Sequence, residues 1–217
     1  TSEALEVMKN FLSSVPDSRG VLFKAEGRLT PEMKARTGLE FCSSSEDWHD
    51  GNCFVFESNI YEVVFDLMKT LIQNSKETGT KYLFLLDSVD GLQTKGDSEK
   101  ALEEANRVAS GATISSVFMK KVATALNKRG HMAIFVSQVR ADIQLDPYSR
   151  APMRTTSATG GNALLHFANW ILEFERPYKK DLILEHEKDA PDVRDNKILG
   201  HWAKVSVKKS PNEEHLD

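Results

Sequence analysis

The chain has 217 residues, 40% of them hydrophobic, and a formal net charge of −4, which is enough for one full-sized core and predicts a single domain over residues 1 to 217. No apolar run approaches the roughly 20 residues that cross a bilayer, and no basic and apolar leader opens the chain, so a soluble, unsecreted, cytoplasmic protein is expected. The acidic balance speaks against a uniformly basic nucleic-acid binder while leaving room for a local basic patch, and Cys42 and Cys53, without CxxC or His/Cys spacing, support neither a disulfide framework nor a zinc site.

In chain order, apolar residues at 4, 5, 7, 8, 11 and 12 predict an amphipathic helix that ends at the Pro16-Asp17 turn. GVLFKAE, residues 20 to 26, reads as a strand whose last residue is Glu26, and a short helix follows near Pro31 to Thr37. After the polar loop SSSEDWHDGN comes a strand, CFVFE. Asn59 with Glu62 three residues on resembles a capping box, and Ile60, Val63, Val64, Leu67, Leu71 and Ile72 share one helical face, which predicts a helix over 60–75. KYLFLLDS then reads as a strand buried on both faces, because its apolar run is continuous rather than alternating. A polar loop over 91–112, a helix over about 114–126 and the strand HMAIFVSQ come next. Residues 140–160 show almost no periodicity, and NWILEFER, DLILEHE and HWAKVSVKK read as strands. Alternating βα units followed by strands define an α/β protein: a mostly parallel, twisted, doubly wound sheet flanked by helices, with an antiparallel C-terminal extension.

Ligands of such sheets sit beyond the carboxyl ends of the strands, where Glu26, Asp87 and Gln138 are predicted to lie. Asp87 has two readings, a turn cap or a Mg²⁺ ligand, and the second needs a phosphate-cradling loop. No G-x-x-x-x-G-K-[ST] occurs in the chain. Such a loop normally leads, however, into a helix beginning at its Ser or Thr and then into a strand, and Thr1 opens a helix that is succeeded by a strand. Thr1 is therefore expected to be the last residue of a phosphate loop lying upstream, in a longer protein.

TTSATGGNALLHFANWILEF, FVSQVRADI and LLDSVDGL, with VLFKAEGRL ahead of them, resemble the ATPase core of the RecA recombinases and their phage UvsX-type relatives, from Thr1 to about Pro211. The resemblance implies a RecA-like P-loop NTPase core lacking its phosphate loop and its N-terminal polymerisation segment. It implies ATP and Mg²⁺ as cofactors, self-association into a helical filament with ATP between subunits, and single-stranded and double-stranded DNA as partners. It makes Asp87 the Walker B aspartate, Thr1 the Mg²⁺-binding hydroxyl, Glu26 the glutamate that activates the attacking water, and Gln138 the glutamine that senses the γ-phosphate. Lys208 and Lys209 match the lysines that reach the neighbour's ATP. Within the second DNA loop, Arg140, Arg150 and Arg154 suit backbone phosphates, Tyr148 suits base stacking, and Gly160, Gly161 and Asn162 carry the chain back into a helix. Lys24 stands where an acidic residue is common.

Two other readings stay open on the sequence alone. A hexameric replicative helicase shares the strand-end aspartate and the Ser-Gln-x-x-Arg-like stretch, and a RecA-like scaffold without a phosphate loop would bind DNA without hydrolysis. Trp170 and Trp202 are expected in the core or on strand faces rather than against bases.

Overall fold

In the computed structural model, which describes residues 1–26, 29–98, 119–120, 122–140, 157–158, 166–175, 178–186 and 196–211, the chain divides into two compact units, Thr1–Phe167 and Ala168–Asp217. The first holds helix α1 (Ser2–Ser14), strand β1 (Ser18–Lys24), α2 (Pro31–Thr37), β2 (Phe41–Cys42), β3 (Cys53–Glu57), α3 (Tyr61–Thr78) and β4 (Lys81–Asp87). A 3₁₀ turn (Val89–Gly91), the short α4 (Lys95–Ser98), helical residues 122–128, β5 (Met132–Phe135) and the short pair β6 (Val139–Arg140) and β7 (Ser157–Ala158) follow. Strands β2-β3-β1-β4-β5 pair in that order, all parallel. The sequence therefore predicts the fold correctly.

The apolar run of β4 is continuous because each face of the sheet has its own core. Val21, Phe23, Tyr82, Phe84 and Leu86 point to one side, where Val64, Phe65, Met68 and Ile72 of α3 and Val122 and Leu126 close over them. Leu22, Leu83 and Leu85 point to the other, against Leu5, Met8 and Leu12 of α1. Alternate residues of one strand thus enter different cores. On the α1 side the helix lies so close that a Cβ at Gly20 would stand 2.9 Å from the Met8 sulfur and 3.3 Å from Cys53 Cβ, so a side chain there would require the Met8 side chain to shift. The two cysteines face opposite ways: Cys53 lies in the α1-side core, while Cys42 pairs with Phe54, one step out of phase. Burial pushes the Cys53 thiol up to about 12, so it stays a neutral core side chain.

Three local expectations change. β1 ends at Lys24, two residues before Glu26. The capping box does not form: Ile60 is the cap residue of α3, the Glu62 carboxylate accepts from the Lys95 backbone N–H at 3.0 Å, and Asn59 O and Tyr61 N both bond to Gln93. A long-range pairing of 59–61 with Gln93 has displaced the local cap. The buried stripe of α3 is also turned from the predicted one, with Tyr61, Val64, Phe65, Met68 and Ile72 inside and Val63 43% exposed. By contrast, α2 starts as read, with Thr30 Oγ1 accepting from Met33 N, Pro31 at the first position, and Gly38 closing it in the left-handed region.

The second unit holds two antiparallel pairs, β8 (Ile171–Phe174) with β11 (Val205–Lys209) and β9 (Leu182–Leu184) with β10 (Ile198–His201). Trp170 and Trp202, expected in the core or on strand faces, are 54% and 70% exposed and lie one residue outside β8 and β10. Among the described residues no helix is long and apolar enough to cross a membrane.

Candidate functional site at the carboxyl ends of the strands

The parallel register sets the site. Lys24 is level with both Glu57 and Asp87, and Leu86 with Phe135, so β1, β3, β4 and β5 deliver their next residues to one rim. The strand order reverses between β1 and β4: from β1 the chain runs to β2 and β3 on one side, then crosses back through α3 to β4 on the other. Side chains just beyond β1 and β4 therefore flank the crevice that such sheets use for ligands.

Thr1, which caps α1, donates from Oγ1 to Asp87 Oδ2 at 2.7 Å. A hydroxyl and a carboxylate oxygen in contact are the donor types that a hard, oxygen-seeking cation takes. No group of three or more His, Cys, Asp or Glu is placed to hold a metal among the described residues. A hydroxyl with one carboxylate is the kind of small oxygen set through which Mg²⁺ binds, its remaining positions being filled by water and phosphate.

Glu26 is held from three directions. Its backbone N–H donates to Asp87 O at 3.3 Å, beside Ala25 N at 3.0 Å. Its Oε1 accepts from the Ser88 hydroxyl and, at 3.4 Å, from Gln138 Nε2. Beneath it lies Gly91, where a Cβ would meet Glu26 Cβ at 2.9 Å and Ala25 O at 3.2 Å, so any side chain there would push the carboxylate aside. The chain leaving β5 is stitched to the end of β4 by Val136 N to Leu86 O and Val89 N to Val136 O, each 2.9 Å. Gln138 N then donates to Asp90 Oδ2 at 2.7 Å. The Asp87–Ser88 peptide is cis. Lys24, nearest by sequence, pairs with Glu57 at 2.8 Å, and that ammonium holds the Glu57 carboxyl below its ordinary range. The odd lysine is thus matched from β3.

Of the residues singled out by sequence, the structure brings together Thr1, Asp87, Glu26 and Gln138. Lys208 and Lys209 lie on β11 in the second unit, where Lys208 pairs with Glu173 at 3.5 Å. Arg140 is placed only as backbone, in β6. Tyr148, Arg150, Arg154, Gly160, Gly161 and Asn162 lie outside the described residues. Sequence reasoning missed Ser88, Asp90 and Gly91. Their one signal is the stretch Ser-Val-Asp-Gly directly after the Asp of β4, which reads as an ordinary turn until Glu26 and Gln138 arrive from other strands.

A parallel sheet with its order reversed between β1 and β4, and an acid, a hydroxyl and a glutamine gathered past that point, defines a doubly wound α/β protein with its ligand crevice at the switch. Within that class the chain belongs to the RecA family, whose N-terminal domain matches residues 51–207. It is 25% identical over 186 residues to Protein RecA of Cereibacter sphaeroides, covering 86% of this chain and 45% of that protein. Protein RecA of Porphyromonas gingivalis is 26% identical over 159 residues (73% and 40%), and that of Rickettsia africae 29% over 149 (69% and 37%). The chain spans less than half the length of each of these relatives.

Proposed function

We propose that the chain is the core of an ATP-dependent DNA strand-exchange recombinase, which assembles on single-stranded DNA as a filament and hydrolyses ATP at subunit interfaces. The observation that carries this reading is the joining of Glu26 to both Ser88 and Gln138, beside the Thr1–Asp87 pair, in a chain of the RecA family. Phosphoryl transfer to water asks a protein for positioning and charge neutralisation more than for covalent chemistry. Asp87 and Thr1 would hold Mg²⁺, which supplies charge neutralisation at the phosphates. Glu26 takes the proton of the attacking water, with its Oε1 oriented by the Ser88 hydroxyl. Gln138 joins that same oxygen to the segment that begins at β6. A change in that segment therefore reaches the water-activating carboxylate through one side chain.

The two units serve as one ATPase core in this reading. Lys208 and Lys209 act on the nucleotide of an adjoining subunit. Arg140, Arg150, Arg154 and Tyr148 meet the DNA, with Gly160, Gly161 and Asn162 carrying the chain onward. The test is the full-length protein with ATP, Mg²⁺ and single-stranded DNA. Hydrolysis stimulated by single strands, together with exchange of a homologous strand into a duplex, supports the reading. Unwinding of a duplex without exchange indicates a helicase, and DNA binding without hydrolysis indicates a scaffold. Replacing Arg150 and Arg154 by Ala should also flatten the fall of affinity with salt by up to about two units of log–log slope.

A further inference from the structure

We propose that Asp90 is a positioning residue, which clamps the start of the segment after β5 to the end of β4 and so holds the Gln138 side chain on Glu26. This rests on the proposed role of Glu26 and Gln138 in ATP hydrolysis, and it adds a part that the sequence resemblance does not supply.

The clamp arises from the way the two strands part. Backbone pairing between the extensions of β4 and β5 runs as far as Val136 N to Leu86 O and Val89 N to Val136 O. It goes no further, because residues 89–91 turn into a 3₁₀ turn, with Gly91 N on Ser88 O and Leu92 N on Val89 O, both at 3.2 Å. At that point a side chain takes over from the ladder: Asp90 Oδ2 accepts the Gln138 N–H at 2.7 Å. Gln138 is the same residue whose Nε2 meets Glu26 Oε1 at 3.4 Å. Its backbone is thus fixed by Asp90 while its side chain spans to the carboxylate. β6 begins at the next residue.

A second observation shows that this carboxylate is not a freely turning surface group. Asp90 Oδ1 is buried and has no hydrogen-bond partner among the described residues. An oxygen removed from water with nothing to accept is unfavourable, and such groups in folded proteins call for a reason. The reason here is the orientation it forces. With one oxygen enclosed, the other is presented to Gln138 N. The length is also specific: a serine at 90 is too short to reach, whereas asparagine keeps an acceptor at the same distance.

The test compares the full-length protein with Asp90→Ser and Asp90→Asn. Without nucleotide or DNA, amide exchange is followed by mass spectrometry on overlapping peptides that isolate Gln138. Exchange at Gln138 should quicken about tenfold in Asp90→Ser, with residues 132–135 unchanged, and stay within about threefold of the parent in Asp90→Asn. Equal protection in all three proteins overturns the clamp. The second readout is the ratio of ATP turnover with single-stranded DNA to turnover without it. That ratio should drop several-fold in Asp90→Ser and recover in Asp90→Asn. A lower melting temperature with an unaltered ratio makes Asp90 a stabilising turn residue and overturns the proposal. If the parent shows no DNA-stimulated hydrolysis, the recombinase reading fails on its own, and the exchange measurement still decides whether Asp90 holds Gln138. Asp90→Ala repeats both measurements should the serine variant misfold.

Discussion

The two ends of the parallel sheet use similar polar residues for opposite purposes. At the amino end of β4, the neutral His131 ring sits between two partners, accepting the Tyr82 N–H at Nδ1 and meeting Ser75 Oγ at Nε2, both at 3.0 Å. The Ser75 hydroxyl donates onward to Ile72 O, so the network is closed and buried. At the carboxyl end, the pairs Thr1–Asp87 and Glu26–Gln138 stay open to solvent, with Glu26 and Gln138 exposed and Asp87 half-buried. A polar group whose partners are all internal contributes to stability. One that stays open to solvent beside the crevice is available for chemistry. The difference lies in exposure, not in residue type.

The sharpest way to break this contrast is to change each end and read both activity and stability. Glu26→Gln keeps the size and the acceptor but removes the base. It should leave nucleotide binding and the melting temperature nearly intact while lowering ATP hydrolysis by the roughly 10²–10⁴-fold typical of a lost general base. Unchanged turnover would take Glu26 out of the mechanism. His131→Ala should behave the other way, losing about 2–3 kcal/mol of stability through the cavity and the orphaned Tyr82 N–H, with turnover per folded molecule preserved. Urea titration alongside hydrolysis rates checks both arms.

A pH series sharpens the same comparison. Burial first, then the charges of Lys81 and Arg129, hold His131 down to about 4 from its ordinary 6.5. Below pH 6.5 the unfolded chain therefore binds a proton that the folded chain refuses, and stability declines as pH falls from 6.5 toward about 4. Between pH 7 and pH 5 this contributes a loss on the order of 2 kcal/mol, and the difference between parent and His131→Ala should narrow by that amount. A difference that stays constant with pH would mean that His131 titrates normally. The smallest effect belongs to the exposed Lys24–Glu57 pair. Its double-mutant coupling should be slight, vanish in high salt, and fade as acid protonates Glu57.

Whether a feature could be read from the sequence depended on how far away its partners lie. Strand β4 was legible because burial on both faces leaves a run with no polar residue from Leu83 to Leu86. The short helix near Pro31 to Thr37 was legible because its start and stop, Thr30-Pro31 and Gly38 in the structure, are decided within a few residues. The Asn59/Glu62 box failed because Glu62 found a better donor 33 residues away, at Lys95. Asp90 was unreadable for the same reason, since its partner Gln138 lies 48 residues further on. Glu26, Asp87 and Gln138 were legible as strand-end residues and Thr1 as the opening of a helix, and the family resemblance supplied their roles, whereas Ser88 and Gly91 take their meaning only from the carboxylate that folds onto them. Trp170 and Trp202 were read into the strands beside them, whereas each stands one residue outside its strand and exposed, because apolar runs locate a strand without fixing its last residue.

Trp48 gives the amino end of the sheet an optical signature. It packs on Tyr82 and Phe54, with ring centroids 5.7 and 5.5 Å away, and carries the Arg19 guanidinium 5.5 Å above its ring. Arg19 is in turn pinned by Asp50 at 2.7 Å and by the Trp48 carbonyl at 3.1 Å. Of the three tryptophans, Trp48 is the partly buried one and lies in the first unit, while the other two stand open to water in the second. Its emission should be bluer than theirs and less accessible to a dissolved quencher such as iodide. The red-shifted, quenchable part of the fluorescence then reports the second unit and the blue, protected part the first, so the melting of each can be followed within one unlabelled chain.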